Sequence, residues 1–214
     1  MSDAILASLR RLAGQNIFVG LSEVGAEDGL LDPEPDAVAK AIQKRRLEFA
    51  AGRRAARMAM ASANCDPAPI PQGENRAPLW PEDLLGSISH DAGLAIAAVA
   101  RQHDISRLGL DLAAATEFPA HLRREILLTA QETAQAGLEA RVSFSAKESV
   151  FKAFYPEVGR YFGFSAVEIA PNIAAGTFVV TLRRPLGNLA AGATLTGRLA
   201  IIDNRLITVL STPA

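Results

Sequence analysis

Apolar residues in this chain fall into short runs separated by breaks rich in Gly, Pro and Asp, and the spacing inside each run separates strands from helices. Residues 16–21 (NIFVGL) are a short apolar run that predicts a first strand, followed by a Gly/Asp/Pro-rich connection over 25–35. From 36 to 63 the chain is rich in Ala, Lys, Arg, Leu and Met, with no Pro and only Gly52, which predicts a long helix. Pro67, Pro69, Pro71, Gly73, Pro78 and Pro81 exclude both a helix and a central strand over 66–81 and leave an extended surface loop. Strands are expected near 85–89 and 94–100, with a third at 108–112 after the charged turn 101–107. Helices are expected over 119–136 and 145–155, and strands near 165–170 and 177–183. A closing hairpin pairs 194–202 with 206–210 across Asp203, Asn204 and Arg205. Strand, long helix, strands, and then the same order again predict an α+β protein of two similar α/β lobes, 1–105 and 106–214.

Composition supports this reading and narrows the partners. With 49% hydrophobic and 21% charged residues, the 214-residue chain has the makings of a real core, sized for one large domain or two small lobes. Lys plus Arg number 22 against 23 Asp plus Glu, a formal charge of −1, so no global field draws it to nucleic acid or an anionic membrane. A charged partner must be met by a local patch. The lone Cys65 makes no internal disulfide or multi-cysteine zinc site and fits a reducing compartment. At the N-terminus, Asp3 stands where a signal peptide needs positive charge, and the longest apolar run, 92–100, falls far short of the roughly 20 residues of a membrane span. The expectation is a cytoplasmic protein engaging neither membrane nor nucleic acid.

Four segments carry candidate chemistry. At about 100° per residue, Arg46, Arg53 and Arg57 fall within roughly 40° on the first long helix, with Arg45 and Arg54 flanking them. That ridge is either a solvated face or an anion site, since a guanidinium fork matches phosphate oxygens in pairs. GSISHD, 86–91, brings Ser87, Ser89, His90 and Asp91 to a strand end. It lacks the G-x-S-x-G elbow, and adjacent Ser and His on a strand point to opposite faces, so it is a hydroxyl-rich strand end or an oxyanion-binding site. GLDLA, 109–113, sets Asp111 inside an apolar strand, where a carboxylate needs a partner: an arginine, a backbone cap or a metal. In FSAKESVFKAFYP, 144–156, Glu148 and Lys152 lie at i and i+4, and Phe144, Phe151 and Tyr155 surround the glutamate at helical spacing. A carboxylate so placed is partly desolvated and favours a metal or a cation. One carboxylate on a strand and one on a helix, with Lys, His and Arg nearby, suit phosphoryl transfer, where magnesium takes one or two carboxylates and fills its octahedron with water and phosphate oxygens.

In order, RRLEFAAGRRAAR (45–57), NRAPLWP (75–81), GSISHD, GLDLA and FSAKESVFKAFYP resemble the 4′-phosphopantetheinyl transferase superfamily, most closely its surfactin-type and enterobactin-synthetase-type branch. The resemblance covers residues 45 to 156 and implies the family's pseudodimer of two lobes. It implies transfer of the phosphopantetheine arm of coenzyme A, the co-substrate, to a serine of an apo acyl, peptidyl or aryl carrier protein, with release of 3′,5′-ADP by a monomer. Asp111 and Glu148 are then the ligands of magnesium, or of manganese, and Glu148 is also the base. Lys152 and Lys147 neutralise the pyrophosphate, Ser89 and His90 contact phosphates, and Arg45 and Arg53 hold the nucleotide end. Two departures stand out. Ala113 occupies the position where the family strand usually carries a second acid, so a water must fill that coordination site. Gln72 lies near a position that is basic in relatives, which passes phosphate binding to Arg76 or Arg53. Ala113 also motivates an alternative of another class, a non-catalytic coenzyme A or carrier-protein binding module.

Overall fold

The computed structural model describes residues 2–214 and divides them into two compact units, one running up to 108 and joined by 212–214, the other 109–211. In chain order the elements are α1 (Ser2–Ala13), β1 (Ile17–Glu23), α2 (Gln43–Ser62), β2 (Leu84–Asp91), β3 (Leu94–Arg101), β4 (Ile105–Ala114), α3 (Ala120–Ile126), α4 (Ala130–Thr133), α5 (Gly137–Val158), β5 (Val167–Asn172), β6 (Thr177–Leu182), β7 (Thr194–Ile202) and β8 (Arg205–Pro213). The fold is α+β with two antiparallel sheets.

In the first unit the sheet runs β1-β3-β2. Its central strand β3 is buried along nearly its whole length, so it reads as a continuous apolar run without alternation. Helix α2 covers the sheet with a face of alanines, Ala51, Ala55, Ala56 and Ala59. Small side chains let the backbones close up: a Cβ on Gly20 of β1 would lie 2.8 Å from Ala59 N. The sequence reading began this helix at residue 36. Instead 34–38 form a 3₁₀ turn, and the helix starts after the extended Ile42. The cause is tertiary. The buried Glu34 carboxylate accepts from Leu31 N at 2.9 Å and Ile70 N at 2.7 Å and pairs with Arg57 at 2.7 Å, which holds its segment off the helix axis. The same contact corrects the expectation of a plain surface loop over 66–81, for Ile70 is fully buried. Helix α1 was not anticipated, although Ile5, Leu9 and Leu12 bury at helical spacing.

In the second unit the sheet runs β4-β8-β7-β6-β5. Helix α5 buries Val142, Ala146, Val150 and Phe154 against Ile169, Phe178, Val180 and Leu210. It extends beyond the expected 145–155 and ends on Gly159 at φ 67°, a left-handed C-cap that Gly adopts without strain. The single helix expected over 119–136 is two short ones. Leu127 is extended, and Thr129 with Glu132 forms a capping box that starts α4 afresh. Gly109 repeats the role of Gly20: a Cβ there would lie 2.6 Å from Ala153 N of α5. Each unit thus presses a long helix onto a strand glycine.

These approaches leave no room for a methyl. Gly109→Ala is expected to lower the melting temperature by about 2–12 °C, from an overpacking cost of about 1–3 kcal/mol. Gly25→Ala, where an added Cβ meets nothing within 4 Å, should leave it almost unchanged in the same thermal scan.

Candidate active site

The second unit assembles its site from one strand and one helix. Asp111 sits on β4 between the buried Leu110 and Leu112 and is itself only 7% exposed. Its Oδ1 accepts from Lys152 Nζ at 2.8 Å and its Oδ2 from Ser145 Oγ at 2.8 Å, both on α5. The sequence leaves open an arginine, a backbone cap or a metal for this aspartate; the structure supplies a lysine and a hydroxyl, which are outside that set. Lys152 Nζ also donates to Leu110 O at 3.0 Å, so these bonds engage two of its three N–H groups. One turn from Ser145 on the same helix lies Glu148. Burial raises its carboxyl above the ordinary value; Lys152 opposes the shift, and the charge on Asp111 adds to it.

Glu148 lines a pocket of about 80 Å³ together with Phe151, Tyr161, Phe162 and Phe164. The aromatic surroundings expected from Phe144, Phe151 and Tyr155 are therefore built differently. Phe151 is in the wall and meets Tyr155, Tyr161 and Phe162 in tilted ring contacts at centroid distances of 5.5, 5.5 and 5.2 Å. Phe144 turns to Phe118 and Phe164, at 5.1 and 5.9 Å. The 161–164 segment was missed because it lies past the helix in a stretch with no periodic signal.

Lys147 needs the main correction. Its ammonium is buried and donates to Glu132 Oε2 at 2.9 Å, Ile126 O at 2.8 Å and Phe164 O at 3.0 Å. All three donors are used, so Lys147 has none left for a pyrophosphate. It ties α5 to α4 and to the 164 turn, and burial lowers its pKa, with Glu132 holding it up. Adjacent positions on a helix diverge by about 100°, which is why Lys147 turns inward while Lys152 joins Glu148's side.

In the first unit, Arg45 Nη1 approaches His90 Nε2 at 2.9 Å. Arginine can only donate, so Nε2 accepts and the ring proton sits on Nδ1, which faces Glu48 Oε2 at 3.7 Å. Arg53 is buried, donates from Nε to Ile70 O at 2.7 Å and stacks on Phe49 at 4.1 Å. Burial pushes its pKa down to about 10; Glu34 counters this, and Arg45 and Arg57 push further down. The rest of the arginine ridge is structural. Arg46 pairs with Glu27, Arg54 with Asp28, and Arg57 with Glu34 and Gly29 O. Ser89 does not join His90. It is buried, and strand alternation turns it away from α2, which Ile88 and His90 face. Arg76 lies exposed on the 74–76 turn with φ 66°. Among the described residues no group of three or more His, Cys, Asp or Glu gathers for a metal, and Ala113 is a buried strand residue without a ligand atom.

Residues 33–100 match the family model of the 4′-phosphopantetheinyl transferase N-terminal domain, and 104–198 match that of the 4′-phosphopantetheinyl transferase superfamily. The 4′-phosphopantetheinyl transferase Svp of Streptomyces mobaraensis is 38% identical over 197 residues, covering 86% of this chain and 80% of Svp. The chain belongs to the 4′-phosphopantetheinyl transferase superfamily. It is similar also to the transferase PptT of Mycobacterium tuberculosis, 34% identical over 145 residues, 65% of this chain and 64% of PptT. Enterobactin synthase component D of Salmonella typhimurium is 38% identical over 136 residues, 59% of this chain and 55% of that protein. The chain is accordingly an enzyme that transfers phosphopantetheine to carrier proteins, and the binding-module alternative falls away. No helix among the described residues is long and apolar enough to cross a membrane.

The desolvated Glu148 gives this phosphopantetheinyl transferase a testable cost. Between the ordinary value of 4.5 and its raised folded pKa, the folded state binds more protons than the unfolded one, so stability falls as pH rises through that window. Glu148→Gln removes the buried charge. In chelator-treated protein its melting temperature is expected to exceed that of wild type at about neutral pH, with the margin closing as pH falls to about 4.

Proposed function

We propose that this transferase moves the 4′-phosphopantetheine moiety of coenzyme A onto a serine of acyl, peptidyl or aryl carrier domains, releasing 3′,5′-ADP, and that it acts as a cytoplasmic monomer. The observation that carries the residue assignment is the pairing, on facing elements of one unit, of the held Asp111 carboxylate with the desolvated Glu148. Both are hard oxygen donors. Two carboxylates without a third ligand suit magnesium, or manganese, which completes its octahedron with water and phosphate oxygens. When bound, the ion neutralises charge that builds on the pyrophosphate as it breaks.

The chain's own groups supply the rest. A carrier serine oxygen forms a bond to the phosphorus that bears the pantetheine arm, while the bond from that phosphorus to the bridging oxygen breaks and 3′,5′-ADP leaves. Glu148 takes the serine proton, directly or through a water, and a carboxyl raised by burial is a better base for that purpose. Lys152 offers its remaining N–H to a phosphate oxygen. No internal nucleophile is needed, because the partner brings the serine. In the first unit, Arg45 with His90, Arg53 on its phenyl ring and the exposed Arg76 are the cations for the nucleotide phosphates.

Incubation with coenzyme A, Mg²⁺ and a panel of apo acyl, peptidyl and aryl carrier domains should add the phosphopantetheine mass to at least one of them. Glu148→Gln should abolish that addition and leave much of the coenzyme A binding intact. A folded wild type that modifies no carrier and binds no coenzyme A would sink the reading, and unchanged turnover in Glu148→Gln would remove that residue from the mechanism.

A further inference from the structure

Behind Asp111 lies a chain of three buried hydroxyls. Ser149 Oγ is 2.7 Å from Thr208 Oγ1, Thr208 Oγ1 is 3.0 Å from Ser145 Oγ, and Ser145 Oγ is 2.8 Å from Asp111 Oδ2. All three residues are fully buried. Each hydroxyl has one proton, and the carboxylate fixes the direction of the first bond. A carboxylate oxygen only accepts, so Ser145 gives its proton to Oδ2. Ser145 Oγ can then only accept from Thr208, whose proton goes to Ser145 Oγ or to Ser145 O, also at 3.0 Å. Ser149 Oγ has Thr208 O within 3.1 Å as an acceptor besides the Thr208 hydroxyl. One hydroxyl thus points at Oδ2, and the other two back it in a buried network of hydroxyls and main-chain carbonyls in low-dielectric surroundings.

We propose that Ser145, backed by Thr208 and Ser149, is a positioning residue that fixes the Asp111 carboxylate, sequestering Oδ2 and leaving Oδ1 as the oxygen for Lys152 or for a divalent cation. The inference rests on Asp111 being a metal ligand, as proposed above. The demand on orientation is high here because Ala113, two residues along the same strand face, offers no ligand atom. With one fewer carboxylate, a freely rotating Asp111 is costly. Partners that orient ligands typically matter by 10–100-fold in affinity.

Ser145→Ala separates positioning from mere tethering. It deletes the bond to Oδ2, while Thr208 still donates to the main-chain carbonyl of residue 145 and Ser149 still reaches Thr208 O at 3.1 Å, so the hold of β8 on α5 persists. The experiment titrates Mn²⁺ into the full-length protein with coenzyme A present and no carrier, and follows free ion by electron paramagnetic resonance. Ser145→Ala is expected to weaken Mn²⁺ binding about 10-fold, with metal-free coenzyme A affinity within about twofold of wild type, and Ser145→Cys is expected to recover part of the loss. Should Ser145→Ala fail to fold, Thr208→Val, which breaks the middle of the chain at constant shape, is expected to shift Mn²⁺ affinity in the same direction by less. Wild-type Mn²⁺ affinity in the folded serine variant, beside a weakened Asp111→Asn, overturns this inference alone. Wild-type affinity in Asp111→Asn overturns the metal reading and this inference with it.

Discussion

A carboxylate buried in an apolar strand must be held on both of its oxygens, and helix α5 does that for Asp111 with Lys152 on one and Ser145 on the other. The hold requires the helix backbone to lie almost against the strand. Gly109, two residues before Asp111, makes that approach possible, since any side chain there would meet Ser149 O and Ala153 N. The catalytic proposal is therefore anchored in packing: the contact that closes strand on helix also sets which α5 side chains reach Asp111. The first unit uses the same device, Gly20 under α2, and α2 carries Arg45 and Arg53.

Buried charge in this protein sorts into scaffold and site by whether every polar atom is spoken for. Glu132 receives Lys147, Leu128 N and Ile169 N, and Lys147 spends all its donors. Glu34 receives Leu31 N, Ile70 N and Arg57. Both glutamates fasten loops to helices. Such pairs are weak sources of net stability but costly to break, which suits a role in fixing geometry. Lys152, Glu148 and Arg53 differ. Each is partly or fully withdrawn from water with its capacity for partners incompletely used, the state that the proposed roles require. The net charge of −1 is thus the sum of many local pairs and a few uncommitted groups.

Much of the site was legible because its residues lie close together along the chain. Glu148 and Lys152 are one helical turn apart, and Asp111 betrays itself as a charge inside an apolar strand. What escaped were the residues that support them. Ser145, three positions before Glu148, could have been found from helical spacing. Thr208 could not, since it reaches the site from a strand 63 residues further on. Tyr161, Phe162 and Phe164 line the pocket from a segment without periodicity. Glu132 left a readable sign in the Thr129 capping box, and that sign would have split the helix expected over 119–136.

By itself the sequence determined the order of elements, the apolar faces and the ordered motifs that mark a phosphopantetheinyl transferase, because these are properties of spacing along one chain. Tertiary structure alone decided which cations are available. Arg46, Arg54, Arg57 and Lys147 look like their neighbours in sequence, yet the first three are bound to the 27–34 segment and the fourth to Glu132. A hydrogen-bond donor can be spent only once, and its partner is chosen by what the fold brings within about 3 Å of it, not by what stands beside it in the chain.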